Sequence, residues 1–278
     1  MPDDYIRSLA RKWLDGTATE EETATLMQWY GQEETRSRIP VWWIGIAASL
    51  LLIAGVWWLM KTPDARKMAI YVPREQQHKV LLPDSSVVWL NADSKLQYRE
   101  DTLVREVILA GEGFFDVQKN TKPFVVKAGN SVTTVLGTSF NIRAYQHEAV
   151  AITVASGKVQ VQDEQQHITV LTANKQITLD KTTIERTVDA TVSQAWVHGR
   201  FEIDNETFET VANTLSRKYG VTFHFENEDL RKCTFIASFD EHANLERILG
   251  LLSKINNSTF RISEDQQDIY ISGQGCSQ

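Results

Sequence analysis

The sequence predicts a multi-domain membrane protein: a short all-α head, one transmembrane helix, an all-β domain, and then a small α+β domain of duplicated β-α-β units. Three observations carry that prediction. The uncharged run VWWIGIAASLLLIAGVWWLM fills residues 41–60. Strict apolar/polar alternation, broken by turns every roughly 8–12 residues, marks the chain from about 70 to 188 as antiparallel β. After Trp196 one helix-then-strand pattern occurs twice, beginning at Phe208 and again at Leu245.

The head (1–38) reads as two short helices. Ile6, Leu9, Ala10, Trp13 and Leu14 follow the 3.6-residue period, and Gly16 stops the first helix. Thr19 followed by Glu22 is a capping box that opens the second; Thr23, Leu26, Met27 and Tyr30 share a face, and Gly31 is expected to end it. So few residues bury little core. The two apolar faces either close on each other as a self-contained hairpin or meet a partner.

Twenty helical residues rise about 30 Å, the thickness of a bilayer's hydrocarbon core. Trp42, Trp43, Trp57 and Trp58 stand where a membrane-interface aromatic belt belongs. A buried core helix is the competing reading. A cleaved signal peptide fits poorly, because the residues ahead of the run exceed an ordinary n-region and MKTPDA lacks a small-x-small cleavage site. Arg36 and Arg38 precede the run, while Lys61, Arg66, Lys67, Arg74 and Lys79 follow it. Taken alone, that count opposes an N-terminus-in orientation, but long domains translocate largely regardless of charge. Residues 61–69 read as a linker.

In the β domain (70–188), Phe140, Ile142 and Ala144 alternate with Asn141, Arg143 and Tyr145, and further alternating runs follow at Ile152–Val154, Val159–Val161, Ile168–Val170 and Ile177–Leu179. LPDSS sets Pro83 at the first central position of a turn beside Asp84. Gly137 interrupts a strand run, which implies a bulge or a close backbone approach. GEGFFDV combines a tight β entry with two aromatic core anchors. In the last domain (196–273) helical spacing at Phe208, Val211, Ala212 and Leu215 returns at Leu245, Ile248, Leu249 and Leu252. Each set has a strand before it, GRFEI or CTFIASF, and an alternating strand after it. This predicts two helices on one face of a sheet. The strand VTFHF (221–225) is either an exposed edge or an interior strand.

Chemistry is sparse. No catalytic or metal-binding motif and no cofactor fingerprint is present, so an enzyme is not expected, and catalytic residues, metal ligands and cofactors are all read as none. His224, Cys233 and His242 have no metal-site spacing, and Asp84, Asp93, Glu112 and Asp116 read as turn caps and surface carboxylates. Pairing of Cys233 with Cys276 is open. A net charge of −7 opposes direct contact with nucleic acid.

LPDSSVVWLNADSKLQY, REVILAGEGFFDVQKNTKPFVV and VTTVLGTSFNIRAY resemble, in order and spacing, the signature of FecR-type transmembrane anti-sigma factors; Ser85 replaces the glycine usual after Pro-Asp. The C-terminal repeat resembles the secretin/TonB short N-terminal domain that closes these proteins in their Bacteroidota branch, and the head resembles that branch's cytoplasmic segment. The resemblance implies an inner-membrane protein with a cytoplasmic N-terminus and periplasmic C-terminal domains. Its head would hold an extracytoplasmic-function sigma factor, through Ile6, Leu9, Trp13, Leu26 and Tyr30. Its tail would meet the N-terminal signalling domain of a TonB-dependent outer-membrane transporter for iron chelates or glycans, through Val221, Phe223 and Phe225. Envelope proteases would act on it. The alternative is a membrane-anchored periplasmic scaffold or carbohydrate-binding module, for which Trp89 is available.

Overall fold

A computed structural model describes residues 3–33, 49–54, 66–240 and 242–276. The chain divides into two compact units, 1–62 and 63–278.

In the first unit, α1 (Asp3–Leu14) and α2 (Glu20–Glu33) form a hairpin. Gly16 turns the chain at φ 66°. The capping box is reciprocal: Thr19 Oγ1 accepts from Glu22 N (3.3 Å) and Glu22 Oε2 accepts from Thr19 N (3.0 Å). Lys12 Nζ donates to Glu22 Oε1 at 2.7 Å, tying the end of α1 to the start of α2. Gly31 does not end α2, which continues to Glu33. A lone glycine costs a helix only about 1 kcal/mol, less than is needed to stop it.

The expected transmembrane helix is corrected here. Among the described residues no helix is long and apolar enough to cross a membrane. Of the 41–60 run, residues 49–54 are described and are helical. Trp42, Trp43, Trp57 and Trp58 lie outside the described residues.

Among the described residues the second unit begins with thirteen connected strands. β1 (Arg66–Val72) occupies the last four residues of the span read as linker. β2 (His78–Leu81), β3 (Val87–Leu90) and β4 (Ser94–Glu100) lead to the long β5 (Arg105–Asp116). β6 (Phe124–Ala128), β7 (Ser131–Val135), β8 (Ser139–Ala144) and β9 (Val150–Ser156) follow. β10 (Lys158–Gln162), β11 (Ile168–Thr172), β12 (Lys175–Leu179) and β13 (Thr183–Thr187) complete the set. The main path runs β11-β10-β7-β6-β5-β8-β9-β12-β13.

β5 makes this sheet curl. Its first half, Arg105–Ala110, pairs with β4, and its second half pairs with β3 and β8. The change falls at Gly111, whose φ of 106° suits glycine alone, and a Cβ there would lie 2.7 Å from the Ser94 Cα. One strand thus serves two layers, and Leu96, Val107, Phe115, Phe124, Phe140 and Ile152 pack between them fully buried. The expectation of purely antiparallel pairing fails once: β6 returns parallel to the first half of β5. Because β5 has left for the other layer, the 117–123 connection comes back to its starting end. In β11 the buried side chain is Leu171, while Ile168 and Val170 are each 60 % exposed.

After α3 (Ala190–Ser193) come β14 (Phe201–Thr207), α4 (Phe208–Tyr219), β15 (Thr222–Phe225), β16 (Thr234–Phe239), α5 (Leu245–Ile255), β17 (Thr259–Ile262) and β18 (Asp268–Ser272). Each half of the repeat gives strand, helix, strand. The single sheet expected is instead two: β14-β16, and β15-β18-β17. The helices lie between them, α4 against β14 and β15, α5 against β16 and β17. The reason is β18, which enters between the two repeat-end strands. Its Ile269 and Ile271 are fully buried.

Candidate partner-binding surfaces

The residues expected to hold a sigma factor separate into two groups. Ile6, Leu9 and Leu26 are buried together and are the core of the hairpin. Trp13 and Tyr30 are 47 % and 58 % exposed. They share a groove of about 350 Å³ with Ala10, Leu14, Leu26 and Met27. Leu14 is 75 % and Met27 51 % exposed. The helices close on each other through one set of side chains, as the hairpin reading expects, and leave a second apolar set facing outward.

The second candidate is VTFHF. Among the described residues β15 pairs only with β18, in parallel, and stands at the edge of its sheet. Val221 is buried, and Phe223 and Phe225 are half-buried against the module core. The Phe225 ring packs edge-on to Phe208 at 5.1 Å, and the Arg231 guanidinium lies 4.6 Å above it. The main-chain edge is therefore open, while the apolar side chains hold the strand in place.

Between the β domain and the C-terminal module lies a cleft of about 140 Å³, lined by Asn91, Glu112, Asn141, Arg143, Trp196 and Glu206 among others. Its polar groups answer one another. Glu112 accepts from Asn91 Nδ2 at 2.8 Å and Asn141 Nδ2 at 2.9 Å, and Asn141 Oδ1 accepts from Trp196 Nε1 at 3.3 Å. Beside the cleft, Glu148 takes Arg143 at 2.8 Å and Arg217 of α4 at 2.6 Å. The Arg217 guanidinium stacks 3.6 Å over Tyr145. Burial would raise the Glu148 carboxyl, but the two guanidinium groups outweigh it and hold it below the usual carboxylate range. Burial likewise opposes the charge on Arg143, and Glu148, Glu112 and Glu206 together reverse that effect. Glu148 thus clasps α4 to the β domain beside the cleft.

Two of the carboxylates read as turn caps and surface groups are buried, Asp84 while also capping its turn. The Asp84 side chain is 3 % exposed and meets Arg105, 0 % exposed, at 2.7 Å. Asp84 also accepts from Ser86 N and Oγ. Arg105 donates further to the Gln118 and Lys122 carbonyls, and its own N–H reaches Pro123 O. One buried ion pair therefore joins the Pro-Asp turn to the 117–123 crossover. Glu112 is the other. An Asp in a turn and an Arg at a strand start give no hint of pairing at a separation of 21 residues.

Trp89 has Lys79 Nζ 4.8 Å over its ring and Phe114 5.7 Å away, so that face is covered. Cys233 and Cys276 form a disulfide that ties the C-terminal tail to the module. His224 meets Asp268 at 2.6 Å and stacks on Tyr270.

Residues 68–160 match the family model described as FecR protein, and residues 200–271 match the model described as FecR, C-terminal. Two crystal structures, at 1.65 Å and 2.50 Å, of a candidate anti-sigma factor from Parabacteroides distasonis ATCC 8503 are similar in fold. Each has a TM-score of 0.70 and 28 % identity; they cover 75 % and 76 % of this chain and 100 % of their own. Among curated proteins no match is found. With both parts of the family matched in order, over a shared two-part architecture, the chain belongs to the FecR family of anti-sigma factors.

Proposed function

We propose that the α1–α2 hairpin holds an extracytoplasmic-function sigma factor, and that the unit from 63 onward receives a signal from a TonB-dependent outer-membrane transporter. On this reading the protein is a regulator rather than a catalyst. The observation that carries it is the outward apolar face of Trp13, Leu14, Met27 and Tyr30 on a hairpin that already has a core of its own. Helical sigma-factor surfaces offer the amphipathic complement such a face needs. The 28 % identical solved relative is a candidate anti-sigma factor, which supports the same assignment.

The head then belongs with the transcription machinery, and the β domain and module belong in the periplasm. The Cys233–Cys276 disulfide supports the second placement, since disulfides persist in oxidising compartments and are rare in the cytosol. The open edge of β15 suits a transporter contact by strand addition. Full-length protein should co-purify with the sigma factor encoded beside it. Trp13→Asp should weaken that complex at least tenfold without lowering the main thermal transition. Equal binding by the variant would defeat the head assignment.

A further inference from the structure

The two halves of the C-terminal repeat have the same elements but different surroundings. The first half is covered: β14 lies against the 190–198 segment, and α4 is clasped to the β domain through Arg217. The second half is open. Among the described residues β16 has β14 as its only strand neighbour, so its other edge carries main-chain donors and acceptors that no strand of them pairs. Two strands stand about 4.8 Å apart, whereas two packed helices stand about 8–10 Å apart. The β14-β16 pair is therefore too narrow to roof both helices, and the uncovered flank falls beside β16, over α5.

A groove of about 440 Å³ occupies that flank, lined by Ser238 and Phe239 of β16 and by Arg247, Gly250, Leu251 and Lys254 of α5. The four helix residues form one stripe at helical spacing. Leu251 is 42 % exposed, and Ile255 beyond it 51 %. Arg247 and Lys254 bracket the stripe, and neither makes an ion pair among the described residues. Asp240, at the mouth, is engaged with His242 N. Gly250 sits mid-helix with normal φ, and a Cβ there would meet nothing within 4 Å. No contact among the described residues calls for glycine at a position where it weakens the helix. Close approach of another backbone would.

We propose that this groove accepts an extended segment of a partner protein that adds as a third strand at the free edge of β16. Its apolar side chains would lie on Leu251 over Gly250, and flanking acidic side chains would meet Arg247 and Lys254. This surface is distinct from the β15 edge and does not depend on what the head binds.

The test uses full-length protein with the disulfide intact. A displayed library of random nonapeptides is selected on it, and the enriched peptides are titrated against the wild type, Gly250→Gln and Arg247→Glu/Lys254→Glu. Enriched sequences should alternate apolar residues with Asp or Glu. Gly250→Gln, a better helix former that fills the groove, should raise the melting temperature yet weaken binding at least tenfold. The charge reversal should weaken it similarly, and N-methylation of alternate peptide amides should abolish it. The proposal is overturned by an absence of enrichment, by enrichment of basic sequences, by peptides that bind Gly250→Gln as tightly as wild type, or by concentration-dependent dimerisation that Gly250→Gln removes. The last result would make a second copy the occupant.

Discussion

The head hairpin and the β domain spend their apolar residues in opposite ways. The hairpin buries Ile6, Leu9 and Leu26 and leaves Trp13, Leu14, Met27 and Tyr30 outside. The β domain closes two layers over a continuous core and even encloses an ion pair. The difference follows from length. A short helical pair has too little surface to cover all its large side chains, so some remain available to a partner. A curled sheet can cover nearly all of them, and its remaining constraints are electrostatic and steric. Substitutions should therefore act on stability in the β domain and on binding in the head.

The largest effect is expected at Arg105. Arg105→Ala leaves Asp84 charged, buried and without its cation, with only the Ser86 hydrogen bonds remaining, and should cost about 3–5 kcal/mol in urea unfolding of the main transition. Replacing both partners with apolar residues of similar volume should cost less than either single change. If Arg105→Ala were neutral, the crossover clasp would be decorative.

Next comes Glu148, which joins two parts of the second unit. Glu148→Gln should cost roughly 1.5–3 kcal/mol. The pH dependence has a definite sign. The folded carboxyl lies below its unfolded value of about 4.3, so its stabilisation is complete above that value and is lost as pH falls through the lowered folded one. Wild type should therefore lose more stability than Glu148→Gln when taken from pH 5 into that acid window. Parallel curves would show that the clasp contributes nothing.

Gly137→Val should cost about 1–3 kcal/mol, because a Cβ would lie 2.6 Å from the Lys119 Cα and the backbone must move. A smaller effect of opposite sign is expected at Ser85, whose φ is 67°. Ser85→Gly should gain roughly 0.5–1 kcal/mol by removing left-handed strain. In the head, Trp13→Asp should shift helicity and melting least of all, within about 0.5 kcal/mol, because the side chain is half outside. A large loss of helicity there would erase the contrast between the two regions.

Much of the fold was legible in residue order. The capping box at Thr19, the Pro-Asp turn, the alternating strands β8, β9, β10 and β12, and the doubled strand-helix-strand pattern all announce themselves through local periodicity or turn chemistry. Gly137 was legible as an interruption, and its cause is the approach of Lys119 rather than a positive φ; the register shift falls two residues later, between Ser139 and Phe140. Of the candidate site, the apolar residues of the head were legible, but not which of them close on each other and which face outward.

The sequence by itself determined where strands and helices form and which residues are apolar, because those properties are settled within a few neighbouring residues. Tertiary structure alone decided the rest: that β5 serves two layers through Gly111, that Asp84 finds Arg105, that β18 divides one expected sheet into two, and that Cys233 meets Cys276. Each of these joins residues far apart in the chain. Such pairings depend on the packing of every intervening element, which no local pattern records.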